Sequence, residues 1–157
     1  MATAALWPRD VGAQRPAVRL RVAGPADASR LAEMYEVSGS AVSIEEMEDW
    51  LDKGGALLVE REQGPVLAAV RWRPHQGGWT VERVTTRPDE RGNGYGRWLM
   101  TKLEALAIRG NVASLDLVLE EPDLLQYYGR MGYRSGGESP LSLTKRVGGV
   151  WQRQVRP

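Results

Sequence analysis

A segment rich in glycine and arginine, just past the middle of the chain, has the residue types that bind phosphate groups. It consists of Arg91, Gly92, Asn93, Gly94, Tyr95, Gly96 and Arg97. Alternating glycines allow backbone conformations that other residues avoid, and they keep side chains away from a ligand. A helix is predicted to start here, and the first N–H groups of a helix lack partners and carry partial positive charge. The segment therefore predicts an anion site, and a diphosphate is the anion we expect.

Two common nucleotide motifs do not fit this spacing. The dinucleotide-binding fingerprint needs two residues between its second and third glycines, whereas only Tyr95 separates Gly94 from Gly96. The acidic residue that belongs to this fingerprint would be Asp116, which lies inside a predicted strand rather than at its end. The Gly-Lys-Ser/Thr sequence of P-loop proteins does not occur. An unrelated nucleotide-binding domain that uses the same turn stays open as an alternative.

The elements on either side must position this segment. Residues 79–86 alternate as a strand, residues 95–108 show the apolar face of a helix, and Gly110 is the stop signal of that helix. Residues 112–119 form a nearly continuous apolar run, which is typical of a strand at the centre of a sheet. A strand, a helix and a second strand in this order predict a right-handed parallel crossover.

The rest of the chain predicts more strands and helices. Ser43 and Glu46 form a capping-box pattern at the start of an acidic helix, whose carboxylates form either a solvated surface or a rim that attracts a cationic substrate. His75, the single histidine, lies in a turn with no partner at the spacing of a metal site or a catalytic triad, and it is interpreted as a surface residue. The further predicted strands are 17–23, 56–62, 66–73, 133–135 and 141–147, and the further helices are 27–37, 43–52 and 123–131. Together they predict one α/β domain with a mixed, mostly antiparallel sheet of six to seven strands and helices on both faces.

Composition restricts the class of protein. The 157 residues include 21 basic and 20 acidic ones, a formal net charge of +1, so we expect neither nucleic acid nor a membrane surface as partner. Because the chain has no cysteine, disulfides and thiol catalysis are excluded. No apolar run has the length of a signal peptide core or a membrane span, and a cytoplasmic protein is therefore expected.

A second motif directs the interpretation to one family. Arg91, Gly94 and Gly96 fill the pattern Arg/Gln-x-x-Gly-x-Gly/Ala, and Tyr128 to Tyr133 fill Tyr-x-x-x-Gly-Phe/Tyr. Together with the order of elements, these motifs resemble the GNAT superfamily of acyl-CoA-dependent N-acyltransferases. The resemblance covers residues 17–147, which predicts a GNAT-like domain there, a mobile leader at 1–16 and a tail at 148–157.

The resemblance implies a reaction and a role for several residues. Acetyl-CoA, as co-substrate, would donate an acetyl group to a primary amine of a small molecule or peptide, by direct attack in a ternary complex and without a metal. Residues 91–97 would hold the diphosphate, and an N–H near Thr86 would stabilise the oxyanion. Glu82 is predicted to deprotonate the amine through water, and Tyr128 is predicted to protonate the departing thiolate. The main chain that would bind the pantetheine arm belongs to Val84, Thr85 and Thr86.

Two positions depart from the family pattern. Glu121 stands where the family often has asparagine, and Leu124 stands where it often has alanine. A carboxylate is a poor neighbour for an anionic co-substrate and leucine is bulkier, so we expect an altered local contact to the pantetheine arm. A non-catalytic acyl-CoA-binding or regulatory module stays open as the alternative function.

No motif names the acceptor amine. The acidic helix and several aromatic residues give a weak hint of a cationic acceptor. These aromatic residues are Tyr35, Trp50, Trp72 and Trp79. The edge strands of such a fold are also compatible with a homodimer.

Overall fold

The computed structural model describes residues 17–82, 84–137 and 139–148. The predicted leader at 1–16, and the predicted tail beyond its first residue, lie outside the described residues. The domain limits 17–147 therefore stay a prediction, as does the cytoplasmic location. Within the described ranges, no helix combines the length and the apolar character needed to cross a membrane.

Strands and helices follow the predicted order, with small shifts at their ends. The strands are β1 (Val18–Val22), β2 (Gly55–Arg61), β3 (Val66–His75), β4 (Gly78–Val81), β5 (Thr85–Thr86), β6 (Ser114–Val118), β7 (Arg134–Ser135) and β8 (Ser142–Arg146). The helices are α1 (Ala28–Val37), α2 (Ile44–Lys53), α3 (Tyr95–Arg109) and α4 (Leu125–Arg130). Single 3-10 turns that begin with proline lie before α1, α3 and α4, at Pro25–Asp27, Pro88–Glu90 and Pro122–Leu124. Proline suits such first turns because its φ is already helical.

The strands form one mixed sheet, in the order β1-β2-β3-β4-β6-β8-β7, while β5 pairs with β3 alone. All pairs are antiparallel except β4 with β6, which are parallel and connected through α3. The predicted mixed and mostly antiparallel sheet is confirmed. The described strands number eight rather than six to seven, because the predicted strand 79–86 is broken into β4 and β5. The strands β1 and β7 form the edges, and a homodimer through either of them stays a prediction.

Helices cover both faces of the sheet, and the alternation along β2 shows which helix covers which face. Ala56 and Leu58 are buried with α1 and α2, whereas Leu57 and Val59 are buried with α3 and α4. Successive strand residues point to opposite faces, so the two helix pairs lie on opposite sides. The helix α2 starts as predicted, because the Ser43 side chain accepts from the Glu46 amide and the Glu46 carboxylate accepts from the Ser43 amide.

Two buried carboxylates hold β1, β2 and α1 together. Glu60 is 3% exposed and accepts hydrogen bonds from Arg19, Arg21 and Arg30 at 2.7 to 3.1 Å. Asp27, which is 7% exposed, accepts two bonds from Arg21 at 2.8 and 2.9 Å. The Arg21 guanidinium is the main cause that lowers the pKa of Glu60 to about 2 and also lowers the pKa of Asp27. These ion pairs therefore connect the edge strand β1 to β2 and to the start of α1.

Candidate functional site

The sheet opens between β5 and β6. The strand β4 pairs with β6 from Gly78 to Val81, but the described pairing ends there, and β5 continues along β3 only. Val81 lies opposite Trp72, and Thr85 lies opposite Ala69. Between these two pairs the chain advances four positions from Val81 to Thr85 but only three from Ala69 to Trp72, so one extra residue is inserted on the β4–β5 side. Such a bulge bends a strand and ends its pairing. A gap therefore begins at the residues that the sequence assigns to the pantetheine arm.

The backbone of Thr86 faces this gap. The amide of Arg87 donates to the carbonyl of Leu67 on β3 at 2.8 Å. In an antiparallel pair, N–H groups of successive residues point to opposite sides. The Thr86 amide therefore points away from β3, toward the side from which β6 has separated. Thr85, which faces β3, is buried at 9% exposure.

The glycine-rich segment exposes backbone in conformations that favour glycine. Gly92 and Gly94 have φ of +86° and +80°, and a Cβ added to either residue would meet no atom within 4 Å. Gly94 is also the residue that precedes the first turn of α3. Among the described residues, no hydrogen bond involves the amides of Gly92, Gly94 and Gly96, nor those of Asn93 and Arg97. Five donors therefore lie at the N-terminal end of a fifteen-residue helix, the arrangement that binds anions.

Two contacts fix the segment beside the gap. The side-chain nitrogen Nδ2 of Asn93 donates to the backbone carbonyl of Glu90 at 2.9 Å, and the Glu90 carboxylate accepts from Arg61 at 2.8 Å. A Cβ added to Gly96 would lie 3.4 Å from Cγ1 of Val84, so the helix start comes close to the bulged strand. The predicted residues Val84 to Thr86 and 91–97 are thus neighbours in space.

Tyr128 lies in α4 with its side chain almost fully buried, at 4% exposure. The edges of the Tyr127 and Tyr133 rings surround it, with centroids 5.0 and 5.8 Å away. Burial, and secondly Tyr127, raises the pKa of Tyr128 to about 12, so the hydroxyl stays protonated at neutral pH. The Tyr133 hydroxyl donates to Glu104 at 2.9 Å, whereas no bond of the Tyr128 hydroxyl is found within the described part of the chain. Tyr128 can therefore donate a proton to a ligand.

Glu82 lies at the last paired position before the bulge. Its amide donates to the carbonyl of Arg71 at 2.8 Å, and its carboxylate accepts from Arg71 Nη2 at 3.2 Å. The Glu82 side chain is 45% exposed, while that of Arg71 is only 12% exposed. The Glu82 carboxylate is therefore paired with Arg71 and at the same time accessible to water.

Comparison with known proteins agrees with this arrangement. A family model described as an acetyltransferase (GNAT) domain matches residues 52–135, more than half of the chain. The chain belongs to the GNAT acetyltransferase family. The match contains both motifs and Glu82, and it confirms the predicted family and the prediction of an acyltransferase enzyme.

Solved GNAT structures share the fold at low sequence identity. An Escherichia coli GNAT family N-acetyltransferase in complex with CoA has a TM-score of 0.71 and 17% identity, over 86% of this chain and 84% of the other. A Brucella melitensis GNAT family acetyltransferase in complex with acetyl-CoA has a TM-score of 0.66 and 20% identity, over 84% and 89%. The ribosomal-protein-S18-alanine N-acetyltransferase of E. coli has a TM-score of 0.69 and 12% identity, over 84% and 95%. These similarities confirm the predicted GNAT-like fold, while a search of curated proteins gave no match.

The two departures from the GNAT motif lie on the surface. Glu121 is exposed and precedes the 3-10 turn before α4, and Leu124 is 46% exposed. Neither side chain belongs to the buried cluster that contains Tyr128. The altered contact to the pantetheine arm, which these two residues predict, would therefore lie at the rim of the site.

The predicted aromatic residues do not form one acceptor pocket. Trp72 and Trp79 stack on each other at 4.9 Å on the face covered by α3, whereas Tyr35 and Trp50 contact Arg71 on the opposite face. Only Tyr35 and Trp50 therefore share a face with Glu82. The carboxylates of α2 are solvated, since Glu45, Glu46, Glu48, Asp49 and Asp52 are all exposed.

His75 lies on the surface, as predicted, and its ring has a partner that the local sequence does not indicate. Its Nε2 lies 2.8 Å from the Asp116 carboxylate, and Asp116 also accepts from the Thr144 hydroxyl at 2.5 Å. The parallel pairing of β4 with β6 brings Asp116 next to the β3–β4 turn, which local sequence does not reveal. Because this cluster lies at the start of β4, it is at the far end of the strand from the gap.

Proposed function

We propose that this GNAT protein transfers an acetyl group from acetyl-CoA to a primary amine of a small molecule or peptide, in a ternary complex. The observation that carries the proposal is the gap between β5 and β6 beside the glycine-rich segment. An extended arm with amide groups needs unpaired strand backbone, and a diphosphate needs clustered N–H donors. Both are available at neighbouring positions.

The parts of acetyl-CoA can be assigned to residues by their chemistry. The diphosphate would accept bonds from the amides of residues 91–97, with Arg91 and Arg97 adding charge. The pantetheine arm would bond the backbone of Val84 to Thr86. The Thr86 amide, which points into the gap, would donate to the oxyanion as the thioester carbonyl becomes tetrahedral.

The reaction requires two proton movements. The amine nitrogen attacks the thioester carbon, the C–N bond forms and the C–S bond breaks, leaving an amide and a thiolate. A lysine-like amine has a pKa of about 10.4 and is mostly protonated at neutral pH, so Glu82 would remove its proton through a water molecule. The Tyr128 hydroxyl would protonate the thiolate sulfur, and the second proton, which the nitrogen loses as the amide forms, would restore the Tyr128 hydroxyl. No covalent intermediate is needed, and the chain has no cysteine to form one.

A thiol-release screen tests the proposal. Acetyl-CoA is offered with amino acids, peptide N-termini, polyamines and aminoglycosides, and acetylated products are identified by mass. Release with at least one class of amine supports an acetyltransferase. Tight binding of CoA without release from any amine would instead favour the non-catalytic acyl-CoA-binding module. Equal binding of ADP, NAD and CoA would mean that the site does not select the pantetheine arm.

Replacing Gly94 by alanine is expected to weaken acetyl-CoA binding about tenfold. A side chain at φ +80° costs about 1 to 2 kcal/mol, and relaxation of that strain would move the amides that hold the diphosphate. The value of kcat at saturating acetyl-CoA should change little, because the reacting atoms are elsewhere. Isothermal titration with CoA and the KM for acetyl-CoA measure the effect.

Gly77 offers a matched control for this variant. It has φ +85°, a Cβ there would also meet nothing within 4 Å, and it lies in the turn between β3 and β4. Gly77→Ala should reduce thermal stability by a similar amount and leave the CoA affinity unchanged. Equal loss of affinity in both variants would mean that strain, and not the position of the amides, causes the effect.

Replacing Glu82 by glutamine is expected to lower kcat at least about 100-fold at pH 7, because a general base contributes about 100- to 10,000-fold. The defect should decrease as the pH rises toward the pKa of the amine. A larger fraction of the amine is then already neutral and needs no base. The pH dependence of thiol release measures this. Glu48→Gln, an exposed carboxylate of α2, serves as control. A defect of the same size at every pH would argue that Glu82 is not the base.

A further inference from the structure

Two arginines of β3 lie on the same face of the sheet as Glu82. Arg71 lies opposite Glu82, and Arg73 lies opposite Thr80 of β4. Since side chains two residues apart share a face, Arg71 and Arg73 project together toward α2. This face is the one from which an amine would approach Glu82.

Aromatic rings hold both guanidinium groups in place. The Trp50 ring lies 4.5 Å from the guanidinium carbon of Arg71 and 4.2 Å from that of Arg73. The Tyr35 ring lies 4.7 Å from the guanidinium carbon of Arg71. Contacts of this kind orient a guanidinium and leave its edge to bond an anion. The rings therefore position both guanidinium groups without themselves supplying a negative charge.

The carboxylates near these two arginines do not accept hydrogen bonds from all of their donors. Arg71 donates to Glu82, but Arg73 makes no hydrogen bond to any of the described residues. The nearest carboxylate to Arg73 is Asp49, at 3.8 Å, and Asp49 is already 3.0 Å from Lys53. A distance of 3.8 Å is too long for a hydrogen bond. The Arg73 side chain, 41% exposed, thus presents free donors to a ligand.

The reaction itself would increase this imbalance. Three cations, Arg71, Arg73 and Lys53, are opposed by two carboxylates, Glu82 and Asp49. When Glu82 takes a proton from the amine, Arg71 loses its charged partner although its side chain is only 12% exposed. An unpaired buried charge is costly. A carboxylate on the acceptor, bound to the neighbouring Arg73, would reduce the net positive charge of this group of side chains.

We propose that the acceptor is an amino acid, whose carboxylate binds Arg73 while its amine faces Glu82. This inference rests on the proposed function. Diagonal neighbours on paired strands are about 7 to 8 Å apart, so Arg73 and Glu82 suit an amine and a carboxylate separated by a few bonds. The acceptor then carries a negative group, which differs from the cationic acceptor that the acidic helix suggests.

Matched pairs of acceptors test the proposal on the unmodified protein. Amino acids are compared with their own carboxamides and methyl esters in thiol release with acetyl-CoA. We expect kcat/KM to be at least about tenfold higher for the free acid, as for a charged hydrogen bond. Blocking the carboxylate lowers the pKa of the amine and makes it more reactive. A preference for the free acid therefore cannot be explained by the reactivity of its amine.

The variant Arg73→Met should remove this preference. We expect kcat/KM for the free acid to decrease about 10- to 100-fold, with kcat/KM for the carboxamide and the KM for acetyl-CoA nearly unchanged. Arg109→Met, at the exposed C-terminal end of α3, is the control, and melting curves confirm folding. Equal use of acid and amide, a preference that persists in Arg73→Met, or acetylation of amines other than amino acids would overturn the proposal and leave the acetyltransferase function intact. Absence of thiol release with every amine would reject both.

Discussion

Replacing Tyr128 by phenylalanine is expected to lower kcat at least about 100-fold, the usual contribution of a general acid. The KM for acetyl-CoA should change by less than about threefold, because the substitution removes one oxygen and keeps the ring contacts that shape the site. The departing thiolate needs a proton, and the Tyr128 hydroxyl has no other bond among the described residues. Steady-state thiol release with a saturating amine measures both constants.

The protonation state of Tyr128 supports this expectation. Burial raises its pKa to about 12, so the hydroxyl carries its proton throughout the pH range in which the enzyme can be assayed. The activity of the unmodified protein should therefore show no alkaline limb from Tyr128 below about pH 10, the pKa of an ordinary tyrosine.

Tyr133 provides the control for Tyr128→Phe. Its ring contacts that of Tyr128, and burial followed by Glu104 raises its pKa, but its hydroxyl already donates to Glu104. Tyr133→Phe should cost about 1 kcal/mol of stability for the lost bond and leave kcat within a factor of two or so. If both variants lose activity equally, the cause is the aromatic cluster and not proton donation.

The parts of the site that the sequence predicts are those with local causes. The glycine spacing, the start of α3 at Tyr95 and the capping box at Ser43 each depend on residues a few positions apart. The gap in the sheet, by contrast, does not depend on residues that are close together in the sequence. Residues 79–86 alternate like one strand, and only the register of β5 on β3 shows the inserted residue. A single extra residue in a bulge leaves no signal in hydrophobic periodicity.

Side-chain contacts between elements that are far apart in the sequence were not predicted, for the same reason. Arg71 and Arg73 read as the polar positions of a half-buried strand, and nothing nearby indicates that Trp50 of α2 covers them. The two arginines of β1 lie in another predicted strand, and the pattern of that strand does not indicate their acidic partners. In the structure, Arg21 forms ion pairs with Glu60 and Asp27. Ionic partners far apart in sequence are set by topology, which periodicity alone does not determine.

Replacing Glu60 by glutamine is expected to reduce the free energy of unfolding by about 3 kcal/mol at pH 7, the range for removing one member of a buried ionic pair. The change keeps the size of the side chain, but it removes the charge that Arg19, Arg21 and Arg30 share. The loss is a large part of the 5 to 15 kcal/mol or so that a domain has in total. Urea unfolding followed by circular dichroism measures it.

The pH dependence separates this effect from a general loss of contacts. The pKa of Glu60 is lowered from 4.5 to about 2 in the folded protein, so its stabilisation is fully present above pH 4.5 and is lost as the pH falls toward 2. The difference between the unmodified protein and Glu60→Gln should therefore be constant from pH 7 to 5 and decrease steadily below 4.5. Glu62→Gln, an exposed glutamate two positions further on, should show neither the loss nor the pH dependence. A Glu60→Gln defect that keeps its full size at pH 3 would mean that shape, and not charge, accounts for the contribution of Glu60 to the stability of β1, β2 and α1.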